Sequence, residues 1–158
     1  MAKRSLPSKD VLGLVGKWAE LHPWAPAPVL YQRVLYPSLE HAYTAAVAGS
    51  GPAADELRAK LAGSSAPAAA QLRQLYPTQH VPVTERVAIM RTCLRDKLMR
   101  NAHIKQTLLE TEEAAIVHAD NACDDFWGQK GSVGSNHLGK LLEALRAEVA
   151  SGRQVSMW

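Results

Sequence analysis

Residues 124–139 form the stretch that most constrains how this chain can fold. They read Asp-Asp-Phe-Trp-Gly-Gln-Lys-Gly-Ser-Val-Gly-Ser-Asn-His-Leu-Gly and continue into a helix-forming sequence. The segment is too polar and too rich in glycine to form a packed core, so it is predicted to be a loop. A large ring such as Trp127 is costly to expose in a loop unless it has a role, for example stacking on a planar ligand. We therefore expect this loop to form the floor of a ligand site.

The glycines and the amide of this loop allow two interpretations. Gly128 and Gly134 permit tight turns and close approach of the backbone to a ligand, and Asn136 is placed to cap the following helix. The simpler interpretation is a turn followed by a cap. The functional interpretation is phosphate binding, because a helix N-terminus follows directly.

The composition limits the class of protein. With 158 residues, a formal charge of +3 and 47% hydrophobic residues, the chain suits one mildly basic globular domain. This charge is compatible with phosphate-bearing ligands but too small to indicate nucleic acid by itself. Cys93 and Cys123 are the only cysteines, which indicates a reducing compartment, and no apolar run approaches the ~20 residues of a membrane span. We expect a cytoplasmic protein, and the spacing of His and Cys predicts no metal site.

Hydrophobic periodicity and breaker residues predict a mostly helical chain. The predicted helices run from Ser8 to Leu21, Leu39 to Val47, Ala53 to Ala62, Pro67 to Leu75, Glu85 to Arg100, His103 to Glu110 and His137 to Ala150. The predicted β-structure is one strand or a small hairpin over Val29–Tyr36 and a brief strand over Ala114–Ala119. The predicted fold class is α+β, predominantly α-helical, in a single compact domain.

The helix that starts at Leu39 carries the first candidate carboxylate. Ser38 is its expected N-cap, which places Glu40 in the first turn. Helical spacing puts Glu40, Thr44 and Val47 on one face. An acid in the first turn is common and favourable with the helix dipole, so that role is the simple interpretation of Glu40.

The helix from Glu85 to Arg100 carries two candidate cations. Thr84 is its expected N-cap, and the apolar stripe is expected to exclude both Arg86 and Lys97. These two residues lie about three helical turns apart on one side. In the simple interpretation they meet solvent or an acid, and in the functional one they receive phosphate or ribose.

Several motifs, taken in order, resemble a known family. They are Pro37-Ser38-Leu39-Glu40-His41-Ala42-Tyr43, Lys97-Leu98, Asp124-Asp125-Phe126-Trp127-Gly128 and Gly134-Ser135-Asn136-His137-Leu138-Gly139-Lys140-Leu141-Leu142, with Arg86, Met90 and Arg146 at family-like spacing. The chain resembles the NADAR (YbiA-like) family of N-glycosidases from about Trp24 to Arg146. The resemblance implies a YbiA-like domain at residues 23–152, an N-terminal helical extension at 1–22 and a C-terminal tail at 153–158.

The resemblance also implies an activity, the cleavage of an N-glycosidic bond to ribose. Members of the family act on ribosylamino intermediates of riboflavin synthesis or on ADP-ribose attached to a base. The expected partner is thus a ribosyl phosphate or ADP-ribose, free or linked to a macromolecule. Nucleic acid is expected only as a modified substrate, a membrane is not expected, and no cofactor or metal is implied.

The resemblance assigns roles to particular residues. Glu40 and Asp124 are the expected carboxylates, since positive charge develops on the sugar when the C–N bond breaks, and Trp127 is expected to stack. Asp124 has an equally weighted simple interpretation, a bond to neighbouring N–H groups of its loop. The expected substrate-binding residues are Trp24, His41, Tyr43, Arg86, Lys97, Gly128, Gly134, Asn136 and Gly139. For His41 a packing role is at least as well supported.

The chain departs from the family pattern at positions near the expected pocket. The family usually has Lys where this chain has Val47, and it has an Asn that the segment Leu21-His22-Pro23-Trp24 lacks. His118 stands nearest to where a Glu usually precedes the Asp-x-x-Trp-Gly motif. These departures support a rival, a catalytically impaired ADP-ribose-binding module of the same fold. A small basic nucleic-acid-binding protein ranks third.

Overall fold

The computed structural model describes residues 10–75, 81–119 and 124–152. Its chain divides into two compact units: residues 23–102 form one, and residues 1–22 with 103–158 form the other. The helices are α1 Leu39–Ala46, α2 Pro52–Ala62, α3 Ala66–Leu75, α4 Val83–Arg100, α5 Ala102–Leu109 and α6 His137–Ala150, with a 3₁₀ helix at Gly16–Leu21. The strands are β1 Val11–Leu12, β2 Val29–Tyr31, β3 Val34–Tyr36 and β4 Ile116–Val117. The predicted α+β, predominantly helical class is confirmed.

A tight hairpin opens the unit formed by residues 23–102. Strands β2 and β3 pair antiparallel, with Val29 opposite Tyr36. Gln32 and Arg33 join them with φ angles of 46° and 70°, both left-handed, as a two-residue hairpin turn with the twist of the strands requires. The prediction of a small hairpin here is confirmed.

Helix α1 is the central helix of this unit. Every residue from Leu39 to Ala45 is buried. Ser38 caps its start, as predicted, because the Ser38 hydroxyl accepts the backbone N–H of His41 at 3.3 Å. Arg58 of α2 closes its end by donating to the carbonyls of Ala45 and Gly49. Helices α2, α3 and α4 and the hairpin all pack on α1.

Helix α4 is the longest helix of the described chain. It begins at Val83 with Pro82 as N-cap, so the predicted cap at Thr84 is wrong by two residues. The backbone of Pro82 is extended, with a ψ of 147°, so Pro82 is not part of the helix. Helical geometry begins at the next residue, Val83. Asp96 of α4 accepts the N–H of Leu30 at 2.7 Å, which joins the helix to the hairpin.

The predicted helix from Ser8 to Leu21 is wrong in its first half. Ser8 lies outside the described residues, and residues 11–12 form β1, which pairs in parallel with β4. Gly13 and Gly16 adopt φ angles of +89° and +60°, which an α-helix cannot contain. Only the stretch Gly16–Leu21 is helical, as a 3₁₀ turn.

The remaining predicted elements of this second unit are confirmed. The brief strand appears as β4, and the final helix α6 runs from His137 to Ala150 with Leu138, Leu142 and Leu145 buried. Arg146 of α6 donates to the carbonyl of Ala114 at 2.7 Å, just before β4. The predicted tail from residue 153 lies outside the described residues. In the described ranges, no helix is long and apolar enough to cross a membrane.

Candidate functional site

Glu40 is held in place from both its side chain and its backbone. Its residue is 8% exposed, and its Oε1 accepts a hydrogen bond from Arg73 of α3 at 2.6 Å. Its backbone N–H donates to the carbonyl of Pro23 at 3.0 Å. Burial keeps water away from the Glu40 carboxylate, so water screens its charge less than that of a solvated carboxylate. Glu40 is thus a first-turn acid whose carboxylate is also nearly buried and held in one orientation, as expected of a residue in a ligand site.

The face of α1 beyond Glu40 contains a polar group with no partner. Thr44 lies one turn further along the helix and is 4% exposed. Its hydroxyl makes no hydrogen bond to any residue that the structure describes. Val47 ends the same face, where it is 6% exposed at the C-cap.

Two of the predicted binding residues are in direct contact. The Nε of Arg86 on α4 donates to the hydroxyl of Tyr43 on α1 at 3.3 Å. This contact keeps the Arg86 guanidinium against α1, the helix that carries Glu40.

Lys97 has a different environment from the predicted one. Its side chain was expected off the apolar stripe, yet the residue is 0% exposed, so that prediction is wrong. The reason is that α4 is covered on more than its apolar stripe, by the hairpin and by α1. A buried ammonium group is tolerated only when it is paired or hydrogen-bonded, so burial marks Lys97 as a residue with a specific structural or functional role.

His41 is fixed at both ring nitrogens. Nε2 donates to the carbonyl of Ser64 at 3.0 Å, so Nδ1 accepts from the Ser38 hydroxyl at 2.6 Å. The Trp24 ring lies edge-on to the imidazole with centroids 5.5 Å apart. Burial lowers the pKa of His41 below 6.5, opposed by the hydrogen bond to Ser64. These contacts favour the packing role over substrate binding for His41.

The Asp124 carboxylate organises its own turn. Its Oδ1 accepts the N–H groups of Phe126 at 3.0 Å and Trp127 at 2.7 Å. Trp127 is 9% exposed, and the Phe126 ring packs edge-on against it at 4.6 Å. Asp124 therefore makes the hydrogen bonds to its own loop that its simple interpretation predicted. The Trp127 ring is mostly covered by neighbouring residues.

The start of α6 uses its N–H groups within the loop. Asn136, His137 and Leu138 donate to the carbonyls of residues 128, 126 and 127, at 3.0, 3.1 and 3.1 Å respectively. Anion binding at a helix N-terminus needs such groups to be free. The expected phosphate site over residues 128–136 lacks these three donors in this conformation.

Asn136 has a role that the sequence did not indicate. It is the N-cap of α6 by position, but its side chain makes no cap hydrogen bond, so the predicted capping interaction is wrong. Its Nδ2 donates to the Ile116 carbonyl at 2.9 Å, and its Oδ1 accepts the His118 N–H at 3.0 Å. The amide thus pairs with β4 as a neighbouring strand would. Its left-handed φ of 50° turns the side chain away from the helix end.

The glycines near Asn136 are required by close packing of the backbone. A Cβ at Gly139 would lie 2.0 Å from the Ile116 carbonyl oxygen, and one at Gly134 would lie 2.4 Å from the Gly128 carbonyl oxygen. Gly134 also has a φ of +119°. Both glycines therefore have a structural reason that involves no ligand. Gly139 was expected only as a substrate-binding residue, although a glycine inside a predicted helix is a signal that could have indicated this close approach.

The predicted site residues fall into the two units. Residues 23–102 contain Trp24, Glu40, His41, Tyr43, Arg86 and Lys97, whereas the other unit contains Asp124, Trp127, Gly128, Gly134, Asn136 and Gly139. Arg73 was missed, because its bond to Glu40 crosses a separation of 33 residues and leaves no local pattern. In the described ranges, no group of three His, Cys, Asp or Glu side chains is placed to hold a metal ion.

A separate cavity lies in the unit that contains β1 and β4. Its volume is about 480 Å³, and its lining includes Lys17, Trp18 and Glu110. None of the predicted site residues lines it.

Comparisons with known proteins agree with the family resemblance that the sequence motifs indicated. The family model described as NADAR domain matches residues 13–150. N-glycosidase YbiA of Escherichia coli (strain K12) is 41% identical over 64 residues, 39% of each chain. N-glycosidase Npun_R5314 of Nostoc punctiforme is 37% identical over 62 residues, again 39% of each. The match thus spans about two fifths of the length of these curated relatives.

A solved structure shares the fold. The NMR structure of the E. coli protein YbiA superposes with a TM-score of 0.75 at 23% identity, covering 96% of this chain and 91% of that one. At this identity the likeness shows the YbiA-like fold, and the family match covers most of the sequence. The chain therefore belongs to the NADAR domain family.

Proposed function

We propose that this protein is an N-glycosidase that hydrolyses the C–N bond of a phosphorylated ribosyl substrate. The substrate is an ADP-ribosyl adduct or a ribosylamino intermediate of the riboflavin pathway. The observation that carries the proposal is the Glu40 carboxylate, which lies in the motif shared with the family. It is nearly buried and accepts a hydrogen bond of 2.6 Å from Arg73. The names of the relatives, both N-glycosidases, support the same reaction type.

The chemistry fits a carboxylate in such a position. As the ribosyl C–N bond breaks, positive charge develops at the anomeric carbon, and a fixed negative group beside the ring stabilises that charge. Preorganisation matters because the group does not have to reorient during the reaction. In this proposal Glu40 provides the negative charge, and Arg73 keeps its carboxylate in one orientation.

The remaining roles follow from charge and from the resemblance. The Arg86 guanidinium, held by Tyr43, and the buried Lys97 ammonium are the proposed partners of phosphate or ribose. Asp124 is the proposed second carboxylate, for water activation, and Trp127 the proposed stacking ring. These last two roles rest on the family motif alone.

The test measures release of free base by chromatography. The substrates are an oligonucleotide with ADP-ribose attached to one base and a ribosylamino intermediate of riboflavin synthesis. We expect Glu40→Gln to lower kcat about a hundredfold, since it removes the charge while keeping the shape. Glu56→Gln is the matched control, because Glu56 is an exposed acid on α2 that forms an ion pair with the exposed Lys60. Normal hydrolysis by both Glu40→Gln and Asp124→Asn would contradict the proposal.

Val47 favours a second candidate, an ADP-ribose-binding module without turnover. The family usually has Lys at this position, and here an apolar side chain is buried on the face that carries Glu40. This candidate predicts thermal stabilisation by ADP-ribose with no base released from either substrate. Released base would exclude it.

A further inference from the structure

We propose that Thr44 recognises the 2-hydroxyl of the substrate ribose. This inference rests on the proposed function and assigns a specificity residue to the Glu40 site. The Thr44 hydroxyl would form the hydrogen bond with substrate that it does not form within the described chain.

The first argument is that Thr44 lacks a hydrogen bond that two other helical threonines of this protein make. A threonine in a helix can donate its hydroxyl hydrogen to the carbonyl three or four residues earlier. Thr92 bonds to Ala88 in this way, and Thr107 bonds to His103, each at 3.1 Å. Thr44 makes no such bond, although its residue is only 4% exposed.

The second argument is energetic. A buried hydroxyl without a partner has lost its hydrogen bonds to water and gained none in return, so it destabilises the folded protein. Alanine or valine at this position would avoid that loss. A group of this kind in a native structure calls for an explanation, and binding of a ligand provides one.

The third argument is position. Thr44 follows Glu40 by one helical turn, so their Cβ atoms are about 5–6 Å apart on the same face. The 2-hydroxyl is attached to the carbon next to the anomeric carbon of ribose. A carboxylate beside the anomeric carbon and a hydroxyl one turn away therefore match two adjacent parts of one sugar. Hydrogen bonds to the 2-hydroxyl strengthen in the transition state of glycoside hydrolysis.

Charge favours a sugar hydroxyl over a phosphate at this point. A phosphate bound to Thr44 would lie close to the Glu40 carboxylate, and the two negative groups would repel each other. A sugar hydroxyl is neutral and both donates and accepts, as the threonine hydroxyl does. The cations Arg86 and Lys97 remain the proposed phosphate partners.

The experiment compares Thr44→Val and Thr44→Ser with the unchanged protein. Valine keeps the shape and removes the hydroxyl, and serine keeps the hydroxyl. Each protein is assayed on an ADP-ribosylated oligonucleotide and on the same compound lacking the 2-hydroxyl of the ribose joined to the base. We expect Thr44→Val to lower kcat/KM about tenfold to a hundredfold on the ribosyl substrate and to leave the deoxy substrate unchanged. Thr44→Ser should behave as the unchanged protein does on both.

Urea denaturation distinguishes a hydroxyl that binds substrate from one that stabilises the fold. Because Thr44 Oγ1 has no hydrogen-bond partner among the described residues, Thr44→Val should be at least as stable as the unchanged protein. An equal loss of activity on both substrates, or a clear loss of stability in Thr44→Val, would overturn the inference.

Failure of the proposed function would be seen separately. If the unchanged protein releases no base from any substrate, the glycosidase proposal fails while the Thr44 inference is still tested by binding. Calorimetry with ADP-ribose, and with ADP-ribose lacking the 2-hydroxyl of its terminal ribose, should then show weaker binding in Thr44→Val for the first ligand only. Equal affinities of Thr44→Val and the unchanged protein for ADP-ribose would overturn it.

Discussion

Arg73 donates a 2.6 Å hydrogen bond to Glu40 and thereby links α3 to the first turn of α1. The two side chains differ in environment, with 43% of Arg73 exposed and 11% of Glu40. Solvent reaches the guanidinium and screens the pair, so its contribution to stability is small. Its main consequence is the orientation of the carboxylate, which is the feature that the proposed reaction uses.

Replacing Arg73 should therefore affect activity more than stability. We expect Arg73→Gln to lower the free energy of unfolding by about 0–1 kcal/mol. It should lower kcat/KM about tenfold, because the Glu40 carboxylate loses its fixed orientation. Urea denaturation and the base-release assay measure the two effects. Lys60→Gln, which removes an exposed pair on α2, is the control and should change neither. Full activity in Arg73→Gln would show that this bond does not position Glu40.

The Asn136 side chain should be essential for the stability of β4. Asn136→Gly removes both hydrogen bonds to the strand and is expected to cost about 2 kcal/mol, since it leaves the Ile116 carbonyl and the His118 N–H without this partner. Asn136→Ala should cost about 1 kcal/mol more, because alanine is strained at the positive φ of this position. Chemical denaturation gives both values. Ser135→Ala, at an exposed neighbour, should stay within about 0.5 kcal/mol. Equal stability of all three variants would contradict the bridging role.

Gly139 should not accept even the smallest side chain. The Cβ of Gly139→Ala would overlap the Ile116 carbonyl oxygen, a backbone atom that cannot move without displacing β4. We expect a loss of about 3 kcal/mol or more. Gly131→Ala is the matched control: its φ is +57°, but nothing lies within 4 Å of the added carbon. Strain alone should then cost about 1 kcal/mol. A loss no larger at Gly139 than at Gly131 would show that the helix and strand separate readily.

The elements that the sequence predicted well are those determined by neighbouring residues. The cap at Ser38, the hairpin between Val29 and Tyr36 and the start of α6 at His137 depend on local turn chemistry and apolar spacing. Each of these features is determined by residues that lie close together in the sequence. The same holds for the motifs that carried the family resemblance.

The features that the sequence did not predict depend on distant parts of the chain. Strand β1 exists because Val11 pairs with Ile116, a residue far away in the sequence. The burial of Lys97 comes from elements packed over α4, and no periodicity within α4 encodes it. The amide of Asn136 binds a strand when an N-cap role was the simpler expectation. Side chains with several hydrogen-bonding options are thus the hardest to place from sequence.

His41 should make the stability of the protein depend on pH in one direction. Burial lowers its pKa below the ordinary 6.5, so between the folded-state pKa and 6.5 the unfolded chain binds more protons than the folded one. Stability contributed by neutral His41 is therefore present above pH 6.5 and is lost as the pH falls towards the folded-state value. The bond from Nε2 to the Ser64 carbonyl survives protonation, but the acceptor role of Nδ1 towards Ser38 does not.

Urea denaturation at pH 7.5 and 5.5 measures this effect, with His41→Gln as the comparison. Glutamine retains a donor for the Ser64 carbonyl and does not titrate. We expect the unchanged protein to lose more stability than His41→Gln between these two pH values, and the two to respond alike between pH 7.5 and 8.5. The two proteins differ only at residue 41, so the difference between their pH dependences isolates His41. Parallel pH dependences over the whole range would mean that His41 is readily protonated in the folded state, and the packing role assigned to its neutral ring would then be wrong.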